Sequence, residues 1–290
     1  MRLGVVMTGS GAFSAANAGV LRLLGERSLN IHAVCGMQDA AWTAALHAVG
    51  YDAQDMEKAL DHIGAGACRL FRAQYPSRAL TCGRRAWLND GRVIDRLLRI
   101  QTGEMLLGLC PRRVIFPCRI ASSGKRVVFT TRAYACAGSC DATQQATVSF
   151  AARAAMGNPP FLAPLAWAGS YLLGEDDAAW AAQQLMHMGA DRVLIFDPRA
   201  DAGAQMDALE LAAARSRWMK APEDGSSVRV IGIGMPLGVH ALDYSKAREI
   251  AQAGYEAARE RLDGALLEMG MTQCRILPFR ARAQKMLGRR

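Results

Sequence analysis

A chain of 290 residues with 51% hydrophobic and 21% charged residues can bury a full core, and it sits near the upper limit for one domain. No apolar run reaches the roughly 20 residues that a membrane span needs, and a strand-like run starts at Leu3 where a secretory signal would stand, which predicts a soluble, cytoplasmic protein. The net charge of +9 is spread thinly, with clusters at Arg84-Arg85, Arg112-Arg113 and the tail 280–290; it reads as a solvated surface, with a weak preference for anionic membrane as the sharper alternative. No nucleic-acid motif or interleaved aromatic stripe accompanies it, so nucleic acid is not expected as a partner.

In chain order, Leu3–Met7 (LGVVM) is a short continuous apolar run, the pattern of a strand buried on both faces of a parallel sheet. A glycine-rich turn follows, and residues 15–26 carry Val20 and leucines at helical spacing. Residues 31–35 read as a second strand and 40–49 as a second helix, whose small side chains allow close packing on the sheet. Strand, glycine turn, helix, repeated twice, defines an α/β unit with a parallel sheet.

Residues 51–109 are mostly helical and irregular in pattern, and are expected to form a cap over the C-terminal edge of the sheet. Residues 113–120 and 126–131 bracket Ser122-Ser123-Gly124-Lys125 and predict a hairpin. Residues 143–156 predict a helix ended by Gly157-Asn158-Pro159-Pro160, and 177–188 another, with Gly189 at its C-terminal cap. Strands are expected at 191–197, 229–234 and 274–278, and a long amphipathic helix at 244–269. With no repeat or low-complexity linker, residues 1–290 read as a single domain with a basic tail at 280–290.

Two segments hold the chemistry. Gly9-Ser10-Gly11-Ala12-Phe13-Ser14 and Gly36-Met37-Gln38-Asp39-Ala40 each follow a strand-like run and open a helix-like stretch. The first has the pattern of an oxyanion-hole loop, the second that of a nucleophile elbow.

On these residues the chain resembles the patatin-like phospholipase family. Residues 3–12 look like its first strand and glycine loop, and Gly19-Val20-Leu21 stands in register with its Gly-Val-Leu triplet. Residues 149–160 (SFAARAAMGNPP) resemble the approach to the family's aspartate, and Gly189-Ala190-Asp191-Arg192-Val193 its GAD-x-V strand entry. Leu242-Asp243-Tyr244-Ser245-Lys246 and Gly254-Tyr255-Glu256-Ala257-Ala258 resemble its C-terminal helix. The resemblance implies a three-layer α/β/α sandwich with a mostly parallel central sheet, and the activity of a lipid acyl hydrolase run by a Ser–Asp dyad.

The dyad itself is substituted. The elbow position that holds serine in the family is Gln38, whose amide is no acyl-accepting nucleophile, and the last elbow glycine is Ala40. Counting back from Gly189 places Leu173 over the family's aspartate, with Asp176 and Asp177 near enough for a local shift to restore a carboxylate. Phe13 and Ser14 replace the loop's usual Arg-Gly, while Gly9 and Gly11 persist. The expectation is a degenerate member that binds a lipid, an acyl ligand or a protein partner through Gly9, Ser10, Gly11, Ala12 and Gln38, with no catalytic residue, metal or cofactor. Phe13, Trp42 and Leu173 would line that site or fill it.

Other readings remain open at this level. A relocated nucleophile among Thr8, Ser10, Ser14 and Cys35 would make an active hydrolase, although Ser10 reads as a substitute for glycine, Ser14 as a helix cap and Cys35 as a packed apolar residue. His47 reads as a surface or interface residue. Gly9-x-Gly11-x-x-Ser14 partly matches a dinucleotide fingerprint, but the second strand ends without the acid that binds ribose. Eight cysteines admit a zinc site around Cys110, Cys118, Cys136 and Cys140, against which stand the absence of any CxxC pair and five scattered histidines; core thiols are expected. Because a strained elbow is useful only to a nucleophile, the turn at Gln38 is expected to have relaxed.

Overall fold

The computed structural model describes residues 1–56, 58–60, 89–159, 162–199, 227–236, 238–239 and 243–271. The bulk of the expected cap, the strand expected at 274–278 and the basic tail lie outside the described residues.

The described chain builds a mixed α/β fold on one sheet. Its strands are β1 (Leu3–Met7), β2 (Ile31–Gly36), β3 (Val114–Ile120), β4 (Arg126–Thr130), β5 (Cys140–Thr143), β6 (Leu165–Trp167), β7 (Ser170–Gly174), β8 (Arg192–Arg199) and β9 (Val228–Gly234). They lie in the order β5-β4-β3-β2-β1-β8-β9, with β7 pairing β3 and β6 pairing β7. The β3–β2–β1–β8–β9 run is parallel throughout, and β4–β5 is parallel too. The β3–β4, β3–β7 and β6–β7 pairs are antiparallel.

Alternation along the central strands divides the core in two. Leu3, Val5, Met7, Val34, Val114, Phe116, Leu194 and Phe196 face one layer, built from α1 (Ala16–Glu26), α2 (Ala41–Ala48), α3 (Arg92–Thr102), α4 (Val148–Ala155) and α6 (Ala247–Glu268). Val6, Ala33, Cys35, Ile115, Val193 and Ile195 face the other, where α5 (Ala178–His187) packs. Both faces are covered, which is why the strands read as continuous apolar runs. The α1–α6 contact is close: a Cβ on Gly19 would collide with the Ala251 carbonyl, and one on Gly254 with that of Ala16.

The predicted helix at 143–156 begins later than expected. Residues up to Thr143 form β5, and α4 starts at Val148, where the Thr147 hydroxyl caps the Phe150 N–H at 3.2 Å. The β6–β7 hairpin, closed by Ala168-Gly169 with positive φ at both residues, is not among the expected elements. Its placement matters, because β4 occupies one edge of β3 while β2 pairs the other at Val114 and Ile115 and β7 takes over at Cys118. Leu173 is thereby brought to the edge of β3 along which β2 runs towards its end at Gly36.

Candidate functional site

The site forms where β1 and β2 end side by side, Met7 being paired with Gly36. The chain leaves β1 through a loop whose backbone favours glycine at two points: Gly9 has φ of 128° and Gly11 of 55°. A 3-10 turn, Gly11–Ala15, then leads directly into α1. The loop is pinned from below. Asn17, wholly buried, donates to the carbonyls of Thr8 at 2.8 Å and Ser14 at 2.9 Å. Thr8 Oγ1 lies 3.0 Å from the Phe196 carbonyl and 3.2 Å from Asp197 Oδ1, tying β1 to β8.

Ser14 is not the helix cap expected of it: its hydroxyl donates to the Gly11 carbonyl at 2.7 Å and braces the loop instead. Ser10 has an extended backbone, φ −109°, so its position does not demand glycine.

At the end of β2, Met37 donates its N–H to the Met7 carbonyl at 3.0 Å, which aligns the two strand ends. The next residue is Gln38, at φ +50°. The turn has therefore not relaxed. A long side chain sits in the left-handed region, a conformation that costs of order 1 kcal/mol or more for a residue with a Cβ. The fold keeps it because Gly36 is locked beneath α2, where a Cβ would meet the Ala44 and Ala41 carbons, leaving the chain a single residue, Met37, before the next helical turn begins at Gln38–Ala40. Gln38 as a residue is 8% exposed, and among the described residues its amide makes no hydrogen bond.

Asp39, next in the chain, reaches across the gap. Its Oδ2 accepts the Gly11 N–H at 2.6 Å, so the glycine loop and the elbow are joined through a carboxylate. Arg153, at the C-terminal half of α4 and 2% exposed, lies within electrostatic reach of Asp39, Asp90 and Asp95. Burial disfavours its charge and those three carboxylates favour it. Arg153 Nη2 donates to the carbonyls of Ala163 at 2.7 Å and Asp90 at 3.4 Å, and among the described residues its Nη1 has no hydrogen-bond partner. The guanidinium fits because Gly91, at φ +77°, has no Cβ where it packs.

Leu173 is half-buried in β7, opposite Arg119. The carboxylates just beyond it are committed elsewhere. Glu175, with no exposed side-chain surface, accepts from Arg119 at 2.6 Å and Arg126 at 2.8 Å, and also from the Asp176 and Asp177 N–H groups. Burial alone would raise its carboxyl, but the Arg119 hydrogen bond and the charges of Arg126 and Arg119 outweigh it and hold it low. Asp177 pairs with Arg126 at 2.9 Å and caps α5 through the Trp180 N–H. Asp176, half exposed, lies 3.7 Å from Arg119.

The remaining candidates are packed away from solvent. Burial first, and the Glu175 charge second, push the Cys35 thiol far above its ordinary range, where no thiolate forms at neutral pH. His47 is buried, contrary to the surface placement expected. Arg112 Nη1 lies 3.0 Å from its Nδ1, which must then be the accepting, unprotonated nitrogen, and burial together with the Arg112 charge lowers the imidazole to about 3. Trp42 donates to Gln101 on α3 at 2.7 Å, and Phe13 is 8% exposed. Among the described residues no three His, Cys, Asp or Glu side chains converge as metal ligands; Cys110 and Cys118 are buried, while Cys136 and Cys140 are half-buried.

The structure thus brings Gly9, Gly11, Ala12, Gln38 and Asp39 into one junction, with Ser10 beside them. Asp39 and Arg153 are the residues the sequence reading missed; a carboxylate one position past the elbow and an arginine inside an alanine-rich helix were the available signals.

Sheet, loop and elbow define the class: an α/β protein with a mostly parallel central sheet flanked by helices. No known family profile matches the chain, and no curated protein matches it. Among solved structures it is similar to VipD from Legionella pneumophila, at 15% identity and a TM-score of 0.49 over 92% of this chain and 69% of that one. It is also similar to the type III effector protein ExoU, at 14% identity and 0.45 over 91% and 53%. The ExoU–SpcU complex from the type III secretion system of Pseudomonas aeruginosa gives 14% and 0.46 over 92% and 52%. The chain spans about half the length of ExoU.

Proposed function

We propose that this protein is a catalytically degenerate, patatin-like pseudo-hydrolase that binds a lipid or acyl ligand, or a protein partner, at the junction of glycine loop and elbow. The observation that carries this reading is Gln38 at φ +50°: the chain keeps the costly turn that presents a nucleophile, but presents an amide. A carboxamide can donate one hydrogen bond and accept another without forming an acyl intermediate. The Asp39 carboxylate on the Gly11 N–H adds support, since an amide already bonded to an anion is a poor oxyanion donor.

The second reading is an active acyl hydrolase with a displaced nucleophile. Ser10 favours it, being half-buried on the loop with a hydroxyl that makes no hydrogen bond among the described residues. Exposure of the folded protein to a long-chain fluorophosphonate, read by intact mass, separates the two. The pseudo-hydrolase gives no adduct; an adduct mapped to Ser10 establishes the hydrolase.

A further inference from the structure

Two polar groups at the junction are mismatched in a way that specifies a ligand. Gln38 is a residue more than nine-tenths buried whose carboxamide reaches the surface of the junction and makes no hydrogen bond among the described residues. An amide at the mouth of the junction is open to a ligand that both accepts from its N–H and donates to its carbonyl. Immediately beside it, the Gly11 N–H, which could otherwise receive an anion, holds Asp39 Oδ2 at 2.6 Å. The Arg153 guanidinium is buried and lies within electrostatic reach of Asp39.

We infer that Asp39 and Gln38 make this a site for acyl ligands whose polar end is uncharged, such as a monoacylglycerol, and that Asp39 rejects free fatty-acid carboxylates and phosphorylated head groups. The inference rests on the reading that an acyl ligand occupies the junction, and it names that ligand's chemistry. The glycerol hydroxyls of a monoacylglycerol donate and accept, matching the Gln38 amide atom for atom. A fatty-acid carboxylate only accepts. It would meet a second carboxylate at a single amide donor, and two like charges sharing one site cannot both stay ionised without cost. Asp39 thus acts as a specificity-determining residue: the negative charge that an anionic head group would bring is already supplied by the chain.

The test compares two ligands with the same chain, 1-monooleoylglycerol and oleate, titrated into the purified full chain at neutral pH below their aggregation concentrations. The wild type is expected to bind the monoacylglycerol about tenfold more tightly than oleate. Asp39→Asn, which keeps an oxygen for the Gly11 N–H and removes the charge, should bring the two affinities to within about threefold. Gln38→Gly should weaken monoacylglycerol binding about tenfold while leaving the protein folded, since glycine suits the φ of that position. Equal binding of both lipids by the wild type, or an Asp39→Asn variant with the preference unchanged, overturns the inference.

If neither lipid binds the folded wild type, the acyl-ligand reading fails, and the ligand class fails with it. The blocking role of Asp39 is then read separately from the Gly11 amide resonance during titration with inorganic phosphate. That resonance should stay in place in the wild type and move in Asp39→Ala. Movement in the wild type, or none in Asp39→Ala, shows that Asp39 excludes nothing.

Discussion

At the scale of single residues, the molecule spends stability at Gln38 and protects a neutral histidine at position 47. Gln38 holds a left-handed backbone that glycine adopts without strain, so Gln38→Gly should raise the stability of the fold by about 1 kcal/mol, seen as a higher midpoint in thermal or denaturant unfolding. A midpoint that falls would mean that the buried amide contributes more to folding than the turn costs. His47 has its pKa lowered from 6.5 to about 3. The unfolded chain therefore binds a proton across that window that the native state does not, and stability falls as pH drops below 6.5. His47→Gln should flatten the pH dependence of unfolding between roughly pH 6.5 and 5 relative to wild type. An unchanged slope would place the effect in other groups. Both features were invisible as such in the sequence, which shows the residues but not the φ that Gln38 must take or the Arg112 guanidinium that reaches Nδ1 of His47.

At the scale of elements, two arrangements hold the site's surroundings. The first is the α1–α6 crossing, where Gly19 and Gly254 let backbones meet, each at a carbonyl of the other helix. Gly19→Val should push these helices apart and cost about 2–3 kcal/mol, measured by denaturant unfolding. The second is the buried carboxylate of Glu175, which clasps Arg119 on β3 and Arg126 on β4 from the end of β7. Replacing it by alanine removes the anion that these two half-exposed cations share, and should cost about 3 kcal/mol. Because Glu175 lies just past Leu173, that variant also loosens the β7 edge beside the elbow; a stability loss under about 1 kcal/mol would show that the cations find water instead. Gly19 and Gly254 stood out in the sequence only as parts of segments that resemble a family pattern, without the helix contact they permit. Glu175 was legible only as part of a run of carboxylates, since the residues that neutralise it lie 49 and 56 positions away in the chain.

At the scale of the whole molecule, the sheet is organised around β1, with β2 and β8 paired along its two edges and both faces covered by helices. Amide exchange should follow that geometry, with the amides of Val5 and Val34 exchanging only by global unfolding and those of β5, at the end of the strand order, exchanging at lower cost. Uniform protection across β1 and β5 would contradict the order. The sequence alone determined the continuous apolar strands, the glycine turns after β1 and β2, the antiparallel β3–β4 hairpin and the turn at Gly189 that ends α5, because these depend on local periodicity and on residues a few positions apart. The resemblance read from it places Gln38 and Leu173 at the two positions on which the proposed loss of a dyad rests. Tertiary structure alone decided that β7 takes up the edge of β3 beyond β2, that the elbow remains strained, and that Asp39 closes the glycine loop across 28 positions of chain. Those outcomes depend on which strand edges are left unpaired and which carboxylate lies within reach of which amide. Long-range geometry fixes both, and no local pattern encodes them.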